Sequence, residues 1–360
     1  MLKIIFVIVT ALHGLIHLLG FVKAFELTNI AQLTQTISKT KGLLWLAAAI
    51  LFSLTIAIYL LKKDWWWILG IASVAISQIL IVMYWQDARS GTIANIIVII
   101  ASVLGYGEWK FNKTVTNELA SLLPENLTEP KIISPNTISH LPSTVQNWLQ
   151  FSKVIEKKQV QFVHLFQTGK MRIKPDGKWM KVKAEQWFST HEPGFLWRAS
   201  VGEGSFMKFS GMDSYLNGHG NMLIRLYALF PLVNASGSKI DQGVMVRYLS
   251  EMIWFPSAAL NDYITWQEIT PSRVSATMTY NNLTVTGEFN FDDKGRILSF
   301  EAQRYFDKTG KLETWFINID AESYQTFHDR CIPTKAKVTW KLADEDFTWY
   351  ELEISNVEYE

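Results

Sequence analysis

The segment from Leu43 to Trp85 reads LLWLAAAILFSLTIAIYLL-KKD-WWWILGIASVAISQILIVMYW. The parts before and after KKD are uncharged and apolar, and each has the length of about 20 residues that a helix needs to cross a bilayer. Lys62, Lys63 and Asp64 form a short polar turn between them. Aromatic residues at both ends of the second part are typical of membrane interfaces. The segment therefore predicts two antiparallel membrane helices.

Two further apolar runs, Ile4 to Phe25 and Thr92 to Gly107, lie on either side of this hairpin. The first run is too long for the apolar core of a secretory signal peptide, and no small-x-small cleavage site follows it. We therefore expect the first helix to be retained. The four runs predict a transmembrane four-helix domain over residues 1–111.

The distribution of Lys and Arg around the four runs predicts the orientation of the chain. With four spans, both termini and the turn between the second and third spans share one side of the membrane. That side carries Lys3, Lys62, Lys63, Lys110 and Lys113, and the other side carries Lys23, Lys39, Lys41 and Arg89. This small excess favours a bacterial inner-membrane protein whose larger C-terminal domain is cytoplasmic.

Two histidines of the first run, His13 and His17, are four residues apart and share one helix face. A metal site, a proton-binding site or haem ligation would use such a pair. The other three runs contain no His, Asp or Glu to complete a metal site. The sequence therefore favours the alternative, in which both histidines face the helix bundle and hydrogen-bond to neighbours such as Gln78 or Asn95.

Beyond a Pro-containing linker over residues 112–139, the pattern indicates a β-rich domain over residues 140–360. Apolar and polar residues alternate from Gln159 onward, and Asp176-Gly177 and Asn281-Asn282 are hairpin turn signals. Helical spacing interrupts the alternation from Val244 to Trp254. The later predicted strands include 179–188, 195–201, 207–217, 220–227, 264–269, 273–280, 283–291, 296–304, 314–324, 336–342 and 350–359.

This second domain is therefore predicted to be α+β and mostly antiparallel. Short strands joined by tight turns form a curved sheet or half-barrel, and one or two helices cover its apolar face. A helix such as Val244 to Trp254 can fill that face, and so can a ligand.

Composition limits the functional classes. The formal net charge of +1 gives no electrostatic basis for binding nucleic acid. Cys331 is the single cysteine, so an internal disulfide is excluded, and no Cys/His cluster has the spacing of zinc ligands. No catalytic, metal or cofactor motif is complete, so we predict no cofactor and assign no catalytic residue.

Several stretches resemble an uncharacterised bacterial domain family of unknown function. They are LPSTVQNWL at 141–149, QTG at 167–169, PGFLW at 193–197, RYLSEMIWFP at 247–256 and RY at 304–305. The resemblance covers roughly residues 140 to 360 and implies no established activity. The order of strands and helix is also similar to the lipoprotein-carrier half-barrel, a curved antiparallel sheet that closes around acyl chains. This second resemblance implies a fold and a lipid-binding hypothesis.

The predicted helix carries the first candidate ligand-binding residues. Arg247 and Glu251 are four residues apart, so their side chains can pair on one helix face. Trp254 follows them and opens the apolar sequence Trp-Phe-Pro. A polar pair beside an apolar wall is what the mouth of a pocket for an amphipathic ligand needs; a plain surface ion pair over a packed helix is the alternative.

The predicted strands carry the remaining candidates, Asp213, Tyr215, Trp197 and Arg304. Asp213 and Tyr215 share one strand face by alternation, which places Ser214 on the other face and disfavours a catalytic triad. An inward-facing arginine needs a carboxylate or an anionic ligand as its partner. Glu251, Asp213 and Glu301 are the carboxylates that would serve Arg304, Arg198 or Arg225, and a lipid headgroup is the sharper alternative.

Two hypotheses of different class follow, with a third as a plainer alternative. The first is a membrane-anchored module that binds an apolar or amphipathic molecule such as a lipid, with the bilayer as its other partner. The second is a membrane-tethered enzyme that uses Glu251 or Asp213 as acid or base. The third is a scaffold or sensor domain without a small ligand. The sequence favours the first, because nothing at fixed spacing supports a reaction class.

Overall fold

The computed structural model describes residues 2–30, 33–123, 129–205 and 207–360. The chain divides into two compact units, Met1–Lys113 and Thr114–Glu360. The helices are α1 (Leu2–Ala24), α2 (Lys39–Leu60), α3 (Trp66–Met83), α4 (Trp85–Ala88), α5 (Gly91–Leu122), α6 (Pro135–Ile138), α7 (Ser143–Phe151) and α8 (Ser238–Glu251). The expected fold class, four apolar helices followed by a mostly antiparallel β domain, is confirmed.

Four helices of the first unit, α1, α2, α3 and α5, are long and apolar enough to cross a membrane. Glycines let them approach closely, which is how membrane helices gain packing energy. A Cβ on Gly20 would overlap the ring of Trp45, and a Cβ on Gly42 would overlap Cβ of Ala24. Both contacts join α1 to α2.

Helix α5 is much longer than the fourth apolar run. The run ends at Gly107, but the helix continues to Leu122, because neither proline nor glycine occurs between these two residues. It therefore extends into residues 112–139, the segment assigned above to a linker. Residues 124–128 of that segment lie outside the described residues.

The second unit is built on one large antiparallel sheet. Its strands and those of a small hairpin are β1 (Phe162–Met171), β2 (Met180–Ser189), β3 (Gly194–Val201), β4 (Phe209–Leu216), β5 (His219–Leu226), β6 (Phe230–Ser236), β7 (Ile264–Thr270), β8 (Arg273–Tyr280), β9 (Leu283–Phe291), β10 (Ile297–Phe306), β11 (Lys311–Ile319), β12 (Tyr324–Phe327), β13 (Arg330–Pro333), β14 (Lys335–Lys341) and β15 (Asp346–Tyr359). The large sheet has 13 strands in the order β6-β5-β4-β3-β2-β1-β15-β14-β11-β10-β9-β8-β7. β12 and β13 pair separately.

This sheet is curled into a half-barrel around α8. The helix packs on β4, β5 and β6 near one edge of the sheet and on β8, β9 and β10 near the other. At the closure, Nδ2 of Asn281 donates a 2.6 Å hydrogen bond to the carbonyl oxygen of Asn217. The face of the sheet turned toward α8 is called the inner face below.

Some element bounds differ from the predicted ones. Strand β6 was not predicted, because its residues are mostly exposed, it contains Pro231, and a bulge at Arg225 breaks its register. The strand expected over 314–324 ends at Ile319, where Asp320 caps a short 3-10 turn. The helix expected from Val244 begins six residues earlier, at Ser238. Its last residues, Met252–Trp254, form a 3-10 turn rather than α-helix.

The inner face is dry at one end and half-buried at the other. Phe188, Phe195, Tyr215, Phe289 and Phe300 are fully buried. Near the turns that join β1 to β2, β3 to β4 and β5 to β6, however, apolar inner-face side chains are only half-buried. This group, called the rim patch below, consists of Met171, Met180, Phe209, Ile224 and Leu226.

Candidate ligand-binding site

Arg247 on α8 lies at the centre of a buried charged cluster on the inner face. Its Nε donates a 2.8 Å hydrogen bond to Oε1 of Glu251, one helical turn away, and its Nη1 donates a 2.8 Å bond to Oδ2 of Asp213 on β4. The guanidinium also lies 4.9 Å from the ring centre of Phe195 and 5.0 Å from that of Trp197. One arginine thus bridges two carboxylates between two aromatic rings.

A directed chain of hydrogen bonds extends this cluster across the middle of the sheet. Nε2 of Gln186 donates to Oε2 of Glu251 at 2.6 Å, and Nε2 of Gln167 donates to Oε1 of Gln186 at 2.9 Å. Nε1 of Trp197 and the hydroxyl of Tyr350 both donate to Oε1 of Gln167, at 3.1 and 3.2 Å. Every step of the chain points toward Glu251, whose two oxygens both accept.

Burial sets the electrostatics of the cluster. It raises the pKa of both Glu251 and Asp213, and the nearby charge of Arg247 only partly offsets that effect. Burial alone would lower the pKa of Arg247, but the charges of Glu251 and Asp213 together raise it. The arginine therefore keeps its charge, and the two carboxyl groups take up a proton more readily than exposed ones do.

Arg304 on β10 faces the same cluster but is held differently. Its guanidinium lies 4.7 Å from the ring centre of Trp315 and 5.8 Å from that of Trp340. Among the described residues it has neither a hydrogen-bond acceptor nor an ion-pair partner. Burial and the charge of Arg247 lower the pKa of Arg304 to about 10, so it is still charged at neutral pH.

A second unpaired donor belongs to the same aromatic stack. Nε1 of Trp315 is buried and has no acceptor within the described part of the chain. Buried donors in native proteins are nearly always paired, so each exception needs an explanation. Arg304 and Trp315, direct neighbours on the inner face of β10 and β11, together present donors that lack an acceptor.

The seven predicted site residues fall into two groups. Arg247, Glu251, Asp213, Trp197 and Arg304 meet in or beside the charged cluster. Tyr215 and Trp254 lie in the dry part of the core instead. The ring of Tyr215 packs against those of Phe195 and Tyr248, at 6.4 and 6.2 Å between centres. The carbonyl oxygen of Trp254 accepts a 2.8 Å bond from the hydroxyl of Tyr359.

The other predicted partners of Arg304 lie elsewhere. Glu301 is on the outer face, where its Oε1 accepts a 2.6 Å bond from Arg273. By strand alternation Arg198 and Arg225 also face outward, so Arg304 is the inward arginine of the three. Sequence reasoning missed the roles of Gln167 and Gln186. A glutamine at an inward position of an otherwise apolar strand face is the signal that would have found them.

Two cavities of about 550 Å³ each lie away from this cluster. One is a groove on the outer face of β1, β2, β14 and β15, bordered by paired charges such as Lys170–Glu351 and Lys183–Glu203. The other lies between α6 and α7, near Asp329. Their lining charges are already matched or few, which makes them weaker candidates than the inner face.

In the helical unit, the two histidines hydrogen-bond within the bundle, as the favoured interpretation predicted. Nε2 of His13 lies 2.9 Å from Oδ1 of Asn95, and Nε2 of His17 lies 2.9 Å from Oγ of Ser77. Asn95 in turn donates to Oε1 of Gln78 at 3.0 Å. Among the described residues, no group of three His, Cys, Asp or Glu is placed to hold a metal ion.

Comparisons with known proteins agree with the half-barrel architecture at a distance. The model of DUF6544, a family of unknown function, matches residues 131–352. No curated protein matches the chain. The crystal structure of an outer membrane lipoprotein-sorting protein domain from Vibrio parahaemolyticus has 11% identity and a TM-score of 0.36, and covers 60% of this chain and 91% of that one. A DUF1329 family protein from Desulfovibrio piger has 10% identity and a TM-score of 0.32, with coverages of 61% and 92%.

Proposed function

We propose that this chain, which belongs to the DUF6544 family of unknown function, is a membrane-anchored protein whose half-barrel binds an amphipathic molecule, such as a lipid, through an anionic group. The observation that carries the proposal is the pair of unpaired donors on the inner face, the Arg304 guanidinium and Nε1 of Trp315. A carboxylate or phosphate would supply the acceptor that both lack.

The charges of the cluster favour an incoming anion at Arg304 rather than at Arg247. Arg247 already spends its hydrogen bonds on Glu251 and Asp213. Arg304 offers up to five N–H donors, and no described residue accepts from them. The stacked tryptophans hold its guanidinium flat and shield it from water, which strengthens a charge-assisted hydrogen bond.

The rim patch supports the apolar half of the proposal. Its five side chains, Met171, Met180, Phe209, Ile224 and Leu226, keep part of their apolar surface in water. Covering such surface gains about 25 cal/mol for each Å². Methionines adapt to flexible chains of different shape. An acyl chain laid along this patch with its anionic group at Arg304 would use both features.

The enzyme alternative receives less support from the same geometry. Both oxygens of Glu251 accept strong hydrogen bonds, from Arg247 and from Gln186, so this carboxylate has no free position for a substrate proton. Asp213 is bound to Arg247 as well. The scaffold alternative leaves the unpaired donors of Arg304 and Trp315 unexplained.

Photo-crosslinking tests the proposal on the full chain in membranes. A diazirine-bearing lipid with an anionic headgroup is activated by light, and the labelled peptides are mapped by mass spectrometry. We expect labelling of β2, β4 and β5 at the rim patch in addition to labelling of α1, α2, α3 and α5. The helix labels serve as an internal measure of lipid exposure.

The matched variants are Arg304→Gln and Arg273→Gln. Arg273 is an arginine of the outer face that pairs with Glu288 and Glu301. Loss of the rim-patch labels in Arg304→Gln alone, with the helix labels unchanged, supports anion capture at Arg304. Labels confined to the helices in the wild-type protein would exclude lipid binding by the half-barrel.

A further inference from the structure

Three neighbouring hairpins of the half-barrel end in exposed apolar side chains. Ile173 lies in the turn between β1 and β2, Met207 lies between β3 and β4, and Phe230 begins β6 just after the turn from β5. Their relative exposures are 73%, 54% and 53%. Because these strands are adjacent in the sheet, the three hairpins stand side by side along one edge. We call Ile173, Met207 and Phe230 the hairpin tips.

The opposite ends of the same strands are different. The turn between β2 and β3 contains Thr190, His191, Glu192 and Pro193, and the turn between β4 and β5 contains Asn217 and Gly218. Neither turn carries a large apolar residue. The apolar tips are thus confined to one edge of this half of the sheet, and chance exposure of single hydrophobic residues would not sort them in this way.

Basic residues accompany the apolar tips. The three connections contain Arg172, Lys174, Lys178 and Lys208 against Asp176 and Glu203, which gives a net charge of 4 − 2 = +2. Trp179 lies in the first connection, with Nζ of Lys170 at 4.9 Å and Cζ of Arg172 at 4.8 Å from its ring centre. Apolar residues, tryptophan and lysine together are the composition of segments that lie in the interface of an anionic bilayer.

We infer that the hairpin tips dock the β-rich unit onto the surface of an anionic lipid bilayer. The chain itself supplies the reason to choose a bilayer as the occupant. Its first unit contains four helices long and apolar enough to cross a membrane, and a covalent link keeps the second unit within reach of that membrane. Insertion of Ile173, Met207 and Phe230 adds apolar burial to this tether, and the four basic residues add attraction to anionic headgroups.

Docking at this edge also positions the rim patch. Met171 and Met180 are the last and first residues of β1 and β2, next to the turn that carries Ile173, and Phe209 follows Met207 by two residues. The half-buried part of the inner face therefore opens at the docked edge. An acyl chain would pass between bilayer and half-barrel without crossing water. The docking itself does not depend on whether the half-barrel holds a ligand.

Site-specific fluorescence on the full chain in nanodiscs tests the docking. Cys331 is the only cysteine, so a Cys331→Ser background accepts one new thiol for an environment-sensitive label. Ile173→Cys places the label on a hairpin tip. Ile269→Cys is the matched control, an isoleucine of similar kind that is 48% exposed at the other end of its strand, β7. The discs contain phosphatidylglycerol with brominated acyl chains, which quench only a label that enters the acyl layer.

We expect a blue shift and quenching for the label at 173, and neither for the label at 269. A further variant, Phe230→Glu with the label kept at 173, should lose part of the quenching, because it places a carboxylate on the neighbouring tip. Absence of quenching at 173 would overturn the docking. Equal quenching at 173 and 269 would overturn it as well, since it would mean that no particular edge faces the bilayer.

Discussion

Gln186 and Glu251 are 65 residues apart in the chain, and Nε2 of Gln186 donates a 2.6 Å hydrogen bond to Oε2 of Glu251. Arg247 donates to the other carboxylate oxygen, so both oxygens of a buried acid are satisfied. Because Gln186 belongs to β2 and Glu251 ends α8, this contact fixes the helix against the middle of the curled sheet. A helix held only by apolar contacts would be free to slide along that face.

Glu251→Gln is expected to lower the free energy of unfolding by about 1–3 kcal/mol, the range for a buried group that loses a charged partner. The new amide matches the size of the carboxylate, but its nitrogen would face either Nε2 of Gln186 or the guanidinium of Arg247, and both are donors. Thermal unfolding of the full chain in detergent, followed by tryptophan fluorescence, measures the effect.

Glu353→Gln provides the control for this substitution. Glu353 is half exposed, and its nearest ion-pair partner, Lys335, lies 3.8 Å away. Exposed pairs of this kind contribute about 0–1 kcal/mol. Equal loss of stability in the two variants would mean that the buried chain of hydrogen bonds has no special weight.

The raised pKa values of Glu251 and Asp213 predict how stability changes with pH. The folded state binds their protons more readily than the unfolded state does, because burial raises both values. Their contribution to stability is therefore most favourable at low pH and decreases as pH rises above the usual value of 4.5 for a glutamate. In the Glu251→Gln variant the unfolding temperature should fall less steeply with rising pH than in the wild type. Parallel pH profiles for the two proteins would contradict this assignment.

Sequence patterns predicted local relationships and missed those that need the curled sheet. Helical spacing predicted the pairing of Arg247 with Glu251, and strand alternation put Asp213 on the inner side. Nothing local indicates that Arg247 reaches Asp213, 34 residues away, because that contact depends on the sheet bending around α8. The stack of Arg304 on Trp340 likewise requires β11 to pair with β14, across the intervening β12–β13 hairpin.

Gly169→Ala is expected to destabilise the β-rich unit by about 1–3 kcal/mol, the usual cost of overpacking. A Cβ at this position of β1 would overlap the carbonyl oxygen of Glu351 on β15, and backbone cannot move aside as a flexible side chain can. Gly211→Ala on β4 is the control, because the nearest atom to its new Cβ is Cζ3 of Trp197 at 3.5 Å. We expect little change there. Chemical denaturation compares the pair, and similar losses in both variants would contradict the argument.

Ser77→Ala is expected to destabilise the helical unit by about 1 kcal/mol, since hydrogen bonds between membrane helices average about 0.6 kcal/mol. Its hydroxyl lies 2.9 Å from Nε2 of His17 and 3.2 Å from Nε2 of His13, so one substitution removes a partner from both rings. Ser53→Ala is the control, because Ser53 bonds only to Ala49 of its own helix. Unfolding in mixed detergent micelles measures the difference, and equal effects would show that the interhelical contact is not special.

Arg304→Met is expected to raise the free energy of unfolding by about 1 kcal/mol, as replacement of buried charges by apolar residues often does. The folded environment lowers the pKa of Arg304 to about 10, which means that it disfavours the charged form. The methionine would keep contact with Trp315 and Trp340 and leave no carboxylate without its direct partner. Arg247→Met should act in the opposite sense and lower stability by about 3–5 kcal/mol, because Glu251 and Asp213 would lose their shared cation. Thermal unfolding of the two variants beside the wild type decides the point. An arginine whose removal stabilises the fold is one retained for binding, so a loss of stability in Arg304→Met as large as that in Arg247→Met would identify Arg304 as a structural residue and remove the support it gives to anion binding.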